Sequence, residues 1–533
     1  MFYILFKMKK QLIFILAISV ATALGCKKSK TQPGVTPSPV PTPIVTIATR
    51  AQLTKDSIFL YAQQIYLWND KLPTYALFNP REYTSFSLEL DNYKKELFEI
   101  TKYSNPFEYK PGATSSKYSY IFDKANQNPT ASIKETSSID LEGNGNDLGI
   151  RFGFYGSDAN FTIYVSAVYQ NSPAEKAGIT RGNMITKING VTYGSNFATN
   201  YSAINTAISG TTITLEGLKS DGTNFTTTLV KSIFKSSPIY KTKILTAGLK
   251  KVGYLAYARF SSAANSITEL DAAFNNFATS GVTDLIIDLR YNGGGYVSTA
   301  EYLINLIAPS TASGVMFTEH YNATMQSGVA TILSNQPLLD ANDKVQYSNG
   351  KMLTYANVNY SVAGNTEIFA KKGTLTNVAN VVFIVSGNTA SASELVINSL
   401  KPHMSVKLVG LTTYGKPVGF FPVIIENKYD VYFSLFETKN SLGLGAYYDG
   451  FTPDVRDSEV PAGTIMYDFG DPNDNYLKKA LDQIAPGVKV TSQARTMTAK
   501  QQEFASPSSS VINTDLSDNE FKGMIETRFK IKN

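Results

Sequence analysis

Apolar positions recur at helical spacing from Thr54 onward: Ile58, Tyr61, Ile65 and Trp68 share one face, and Pro73 stops the run. A second helix is expected from roughly Ser85 to Ile100. Between about 140 and 235 the period falls to two, in Phe161–Val168 and Thr211–Leu218, the alternation of half-buried strands. Between those strands lie Asn171-Ser-Pro-Ala-Glu-Lys-Ala-Gly178, a Pro-initiated turn of helix closed by glycine, and Gly182–Gly190, a strand entering an Asn-Gly turn. From about 236 to 485 short continuous apolar runs, Val252–Tyr257, Asp284–Leu289 and Val381–Val385, alternate with helical stretches, which reads as buried strands in an α/β layer. After about 486 the chain is rich in Ser, Thr and Lys with little periodicity, and the pattern assigns it no role.

The expected organisation is multidomain: residues 1–25 an export signal, 26–47 a Pro-rich linker, 48–139 a small helical domain, 140–235 a β-rich module, 236–485 an α/β domain and 486–533 a tail. A length of 533 residues agrees with several domains of roughly 100–200 residues each. The N-terminus places Lys9-Lys10 before the apolar run Leu12–Leu24, too short for a span that needs about 20 residues. Cys26, the single cysteine, follows Ala23-Leu24-Gly25, where a bacterial lipoprotein is cleaved and acylated. Acylated Cys26 would attach the chain to a lipid membrane of the cell envelope, the outer membrane, periplasmic or surface-facing, with the Pro-rich stretch as an extended tether. A lone cysteine excludes an intrachain disulfide. The formal charge of +6 includes Lys7, Lys9 and Lys10, so the remainder carries about +3 and no nucleic-acid partner is expected.

Three stretches could carry chemistry. Ser391, in Gly387-Asn-Thr-Ala-Ser-Ala-Ser-Glu394, sits between a buried strand and the helical run Leu395–Leu400. Ser391-x-x-Glu394 matches a helix capping box, but the same junction sets a hydroxyl beside exposed N–H groups at a positive helix end, with the Ala392 N–H placed to hold an oxyanion. Lys416 follows 25 residues later among Tyr414, Pro417, Phe420 and Phe421. To act as a base it must lose about three units from an ordinary pKa near 10.4, roughly 4 kcal/mol, and apolar neighbours can supply that desolvation. Asn292-Gly-Gly-Gly295 ends a strand, and glycines let N–H groups approach a carbonyl closely. With only His320 and His403 in the chain, a serine-histidine triad has little to draw on.

The string Ser-Pro-Ala, Ala-Gly, Gly-x-x-Ile, Asn-Gly between 172 and 190 resembles a PDZ domain, with Leu148-Gly149-Ile150 at the loop that captures a peptide carboxylate. Ser391-Ala-Ser-Glu394, Gly415-Lys416, Asp288–Gly295 and Tyr448–Asp454 together resemble the C-terminal processing, or tail-specific, peptidases over about 50 to 485. The resemblance implies a crotonase-like α/β catalytic domain with Ser391 as nucleophile, Lys416 as general base, and Ala392 with Gly294 or Gly295 as oxyanion donors. It implies a serine endopeptidase that binds polypeptides by their free C-terminus and cleaves unstructured tails, without metal or other cofactor. Phe420 departs from the pattern, since many members place there a Gln that orients the lysine. That departure motivates one alternative, a catalytically impaired peptide-binding lipoprotein of the same fold. The Gly-rich loop alone motivates another, an acyl-coenzyme A enzyme.

Overall fold

The computed structural model describes residues 48–125, 139–340, 344–488, 495–506 and 521–532. The export signal, Cys26 and the Pro-rich linker lie outside the described residues.

Helix α1 (Arg50–Ile65) opens on a capping box, with Gln52 N–H donating to Thr49 Oγ1 and Gln52 Oε1 accepting the Thr49 N–H. Its face Ile58, Tyr61, Ala62, Ile65 is buried; Trp68 follows in a turn beyond the helix and stacks on Phe107 at 5.6 Å. Helix α2 (Glu89–Thr101) starts four residues later than its periodicity suggested. The helical segment does not close a core of its own: Ile58, Ile65, Leu97 and Ile100 belong to the same apolar cluster as Leu285, Phe383, Leu395 and Phe436. The strand Tyr120–Asp123 then pairs antiparallel with Tyr429–Tyr432, three hundred residues away.

The β-rich module has its own core, from Leu148 and Ile150 to Leu215 and Leu229. Its strands are β1 (Ile150–Gly156), β2 (Phe161–Val168), β3 (Met184–Ile188), β4 (Thr212–Leu218) and β5 (Asn224–Val230), antiparallel in that spatial order. Helix α3 (Phe197–Ser209) covers them through Phe197, whose ring lies 5.1 Å from those of Phe154 and Phe161. Strand β1 is the edge of this sheet, pairing only with β2 among the described strands.

The α/β layer is a six-stranded sheet in the order β6 (Ile239–Ala247), β7 (Lys250–Tyr257), β8 (Asp284–Asp288), β9 (Asn380–Val385), β10 (Ser405–Gly410) and β11 (Val455–Arg456). β6 and β7 form an antiparallel hairpin; every later neighbour is parallel, with Ile287 opposite Phe383 and Phe383 opposite Leu408. All five residues of β8 are buried, as strands covered on both faces require. Helices α4 (Ala263–Thr279), α5 (Val297–Ile307) and α6 (Ala392–Leu400) supply one cover, while α7 (Asn475–Ile484) packs on β9 and β10 from the other core. The tail beyond 486 also joins the fold: β12 (Gly523–Ile525) pairs parallel with the short strand Gly294–Tyr296.

Candidate active site

The three stretches of interest all leave the carboxyl ends of adjacent parallel strands: Asn292–Gly295 after β8, Ser391 after β9, and Lys416 after β10. Open α/β sheets gather ligand groups at this edge because the chain must turn there and present its backbone. The turns are tied together. Thr389 Oγ1 donates to the Leu289 carbonyl at 2.7 Å, the Ala390 N–H to the Asn292 carbonyl at 3.1 Å, and Ser393 Oγ to the same carbonyl at 3.0 Å.

Ser391 is wholly buried and holds φ 60°, ψ −109°. That conformation costs a side-chain-bearing residue on the order of 1–3 kcal/mol, and such outliers concentrate where function needs a side chain aimed. Its hydroxyl has no hydrogen-bond partner among the described residues. Half of the expected capping box is present, because the Ser391 N–H donates to Glu394 Oε2 at 2.9 Å while the hydroxyl is left out of it.

Glu394 is the residue whose reach the sequence did not disclose. Fully buried, it also accepts from the Lys416 N–H at 2.8 Å, the Gly415 N–H at 2.7 Å and Thr413 Oγ1 at 2.5 Å. Burial raises its pKa above the usual carboxylate range, against these four donors, which pull it down. One carboxylate therefore fixes both the turn of Ser391 and the backbone of Lys416. The Ser-x-x-Glu spacing was the only signal, and it reads equally well as a cap.

Lys416 is 1% exposed. Burial pushes its amine down to about 7, opposed by Glu108 and Glu394 and aided by Lys117. Nζ lies 4.4 Å from the centre of the Phe420 ring and 5.6 Å from that of Tyr118. It donates to the Tyr118 carbonyl at 3.4 Å and to the Lys522 carbonyl at 2.8 Å. Phe420 thus forms a wall at the position of the expected orienting Gln, and backbone carbonyls supply the hydrogen bonds. The Tyr118 wall comes from the N-terminal segment, held by buried Glu108, which accepts from the Ser119 N–H at 2.5 Å and Tyr66 Oη at 2.8 Å. Composition around Lys416 could not reveal walls brought from residues 108–119 and 522.

In the Gly-rich turn, the Gly294 N–H donates to Asn292 Oδ1 at 2.9 Å. The Gly294 N–H is thus engaged within the turn in this arrangement. A Cβ on Gly294 would stand 3.0 Å from the Ala392 nitrogen, so the turn and the start of α6 are in contact. His320 pairs with Thr318 Oγ1 at 2.8 Å and His403 with Ser441 Oγ at 3.0 Å, each engaged away from Ser391.

Leu148-Gly149-Ile150 leads into the edge strand β1. Gly149 has φ +79°, and a Cβ there would fall 2.0 Å from Ser172 Cβ, so the turn accepts only glycine. Arg151, Gly153, Phe154 and Tyr155 of β1 line a cavity of about 590 Å³ whose other walls include Tyr291, Ser386–Asn388 and Lys522. The edge of the β-rich module and the loop Ser386–Asn388, which precedes buried Ser391, therefore open onto one cavity. Beneath it lies a buried ionic cluster. Arg181 reaches Glu459 at 2.7 Å and Asp474 at 3.2 Å, while Arg290 reaches Asp288 at 2.7 Å, Asp474 at 2.9 Å and Glu459 at 3.0 Å. Burial alone would raise the Glu459 carboxyl; Arg181 and Arg290 hold it down at about 2.

Residues 251–456 match the sequence profile of peptidase family S41, and residues 164–204 that of the PDZ domain. The chain thus carries a region that matches peptidase family S41 and, ahead of it, one that matches a PDZ domain. It is similar to the carboxy-terminal processing protease CtpA of Bacillus subtilis, 25% identical over 293 residues that make up 54% of this chain and 50% of that protein. It is also similar to a carboxyl-terminal-processing protease of Synechocystis, 24% identical over 354 residues, 63% of this chain and 68% of that one. The chain thus spans about half the length of the Bacillus relative. Among solved structures, an S41 protease of Bacteroides fragilis shares the fold with a TM-score of 0.54 at 20% identity, covering 83% of this chain and 98% of that one.

Proposed function

We propose that the protein is a serine endopeptidase that cleaves unstructured polypeptide tails through an acyl-enzyme on Ser391, with Lys416 as general base. The observation that carries this reading is a fully buried lysine, pushed down to about 7 by desolvation and joined through Glu394 to a strained serine at a strand-to-helix turn. A neutral amine at neutral pH can take the hydroxyl proton and return it to the leaving amine. The Ala392 N–H with that of Gly294 or Gly295 would hold the oxyanion, given the contact between the Gly-rich turn and the start of α6. The match of residues 251–456 to peptidase family S41 and the names of the two relatives support polypeptide cleavage at C-terminal tails. The PDZ edge strand β1, open onto the shared cavity, supports capture of a substrate C-terminus by strand addition beginning at Leu148–Ile150.

The test is to incubate purified wild-type protein, Ser391→Ala and Lys416→Ala with an unfolded protein ending in apolar residues and to follow fragments by mass spectrometry. Cleavage by wild type alone is the expected result; equal cleavage by Ser391→Ala would overturn the reading. Anchoring to a cell-envelope membrane through acylated Cys26 is part of the same proposal, on sequence grounds. Incorporation of an alkyne-tagged fatty acid should vanish in Cys26→Ala.

A further inference from the structure

Ser391 has no exposed surface and Lys416 has almost none, so no substrate can reach them in the closed arrangement. The cover is the chain's own C-terminal segment. The Gly523 N–H donates to the Gly293 carbonyl at 2.9 Å on one side. On the other side, the Phe420 N–H donates to the Met524 carbonyl at 3.0 Å and the Glu526 N–H to the Phe420 carbonyl at 3.1 Å. The segment is therefore an added strand held between the Gly-rich turn and the chain that follows Lys416.

The fit is close. A Cβ on Gly293 would stand 1.9 Å from the Phe521 carbonyl oxygen, and one on Gly294 would stand 2.3 Å from the Gly523 oxygen. Met524 is fully buried. Downstream, the Asn359 N–H donates to the Lys530 carbonyl at 2.7 Å, the Lys532 N–H to the Asn357 carbonyl at 2.8 Å, and Phe529 packs edge-on against Phe421 at 5.5 Å. At the centre, the Lys522 carbonyl takes the shorter of two hydrogen bonds from Lys416 Nζ, at 2.8 Å, and Ser391 Oγ has no partner among the described residues. The segment thus supplies an acceptor to Lys416 Nζ, while no hydrogen bond joins Lys416 to the Ser391 hydroxyl among the described residues.

We propose that this groove takes an extended polypeptide as an added strand between Gly293–Tyr296 and Phe420, and that Phe521–Glu526 is its resident ligand, holding the enzyme closed until substrate displaces it. The inference rests on the peptidase reading of Ser391 and Lys416. The donors and acceptors used are main-chain groups, so the groove reads an extended backbone before it reads side chains. Gly523 is selected by the same crowding, since a Cβ there would meet the Phe521 and Phe420 rings at 2.3 and 2.6 Å.

The full chain carrying Met524→Asp, and separately Gly523→Pro, which removes the donor to Gly293, should cleave a fluorogenic unfolded protein about tenfold faster than wild type. A fluorescent peptide of residues 521–530 should bind Met524→Asp combined with Ser391→Ala and fail to bind Ser391→Ala alone. Folded variants that cleave at the wild-type rate or slower, with no peptide binding, would overturn the proposal. Should no form cleave while the peptide still binds only the Met524→Asp chain, the resident ligand stands and the peptidase reading falls.

Discussion

Two buried basic centres resolve burial in opposite ways. Around Arg290 and Arg181, three carboxylates from Asp288, Glu459 and Asp474 converge, and the charges persist because each has a partner within hydrogen-bond reach. Around Lys416, Glu108 and Glu394 are near enough to pull its pKa upward, yet their oxygens are committed to backbone N–H groups and hydroxyls, and Lys416 forms no ion pair among the described residues. Guanidinium cannot shed its proton in a protein, whereas an ammonium can. Pairing therefore joins Arg181 of the PDZ domain to the carboxylates of the S41 region, and withholding a partner leaves an amine that burial pushes down to about 7.

The comparison breaks most sharply at Ser391. Ser391→Ala should lower kcat/KM for an unfolded substrate by at least about 10³-fold while leaving the thermal midpoint at or above wild type, since it removes only an unpartnered buried hydroxyl. Glu459→Ala addresses the opposite centre: it leaves two buried guanidiniums one carboxylate short and should destabilise the fold by about 3–5 kcal/mol, read by chemical denaturation.

The pH dependence separates the two centres further. With Lys416 at about 7 in the folded chain, kcat/KM should rise about tenfold per unit below that value and level above it. For stability the sign is set by a folded pKa depressed below the unfolded value near 10.4. The native state binds fewer protons there, so the penalty from Lys416 is full below about 7 and is relieved as pH rises from about 7 to 10.4. Lys416→Met should thus abolish turnover and raise the unfolding midpoint at pH 6, where Glu459→Ala lowers it.

The smallest effect is expected at Phe420. Phe420→Gln exchanges a ring 4.4 Å from Nζ for an amide, and both favour the protonated amine, so the midpoint of the pH–rate profile should move by less than about one unit. A larger shift would show that the ring, more than the rest of the pocket, sets the basicity.

Much of this was legible in the chain. The alternation of Phe161–Val168, the continuous apolar runs before Asn292 and Ser391, and the spacing of Ser391 and Lys416 were local signals, because strands, turns and caps are governed by neighbours in sequence. Buried strands carry apolar side chains on both faces, and sharp turns at their ends need glycine or a small residue, so element type and the position of the candidate groups could be read directly. What no local pattern contains is which distant segments close around those groups. Tyr118 and Glu108, which wall the Lys416 pocket, come from a helical segment that reads as an independent domain. Glu394 reads as a cap until the fold brings Gly415 and Lys416 onto its oxygens. The polar, aperiodic tail gave no sign that Phe521–Glu526 would lie as a strand beside the Gly-rich turn. A single added strand is held by main-chain hydrogen bonds, which leave little trace in side-chain pattern. The sequence determined the elements and where the reactive groups would emerge; tertiary structure alone decided their solvation, their partners and what covers them.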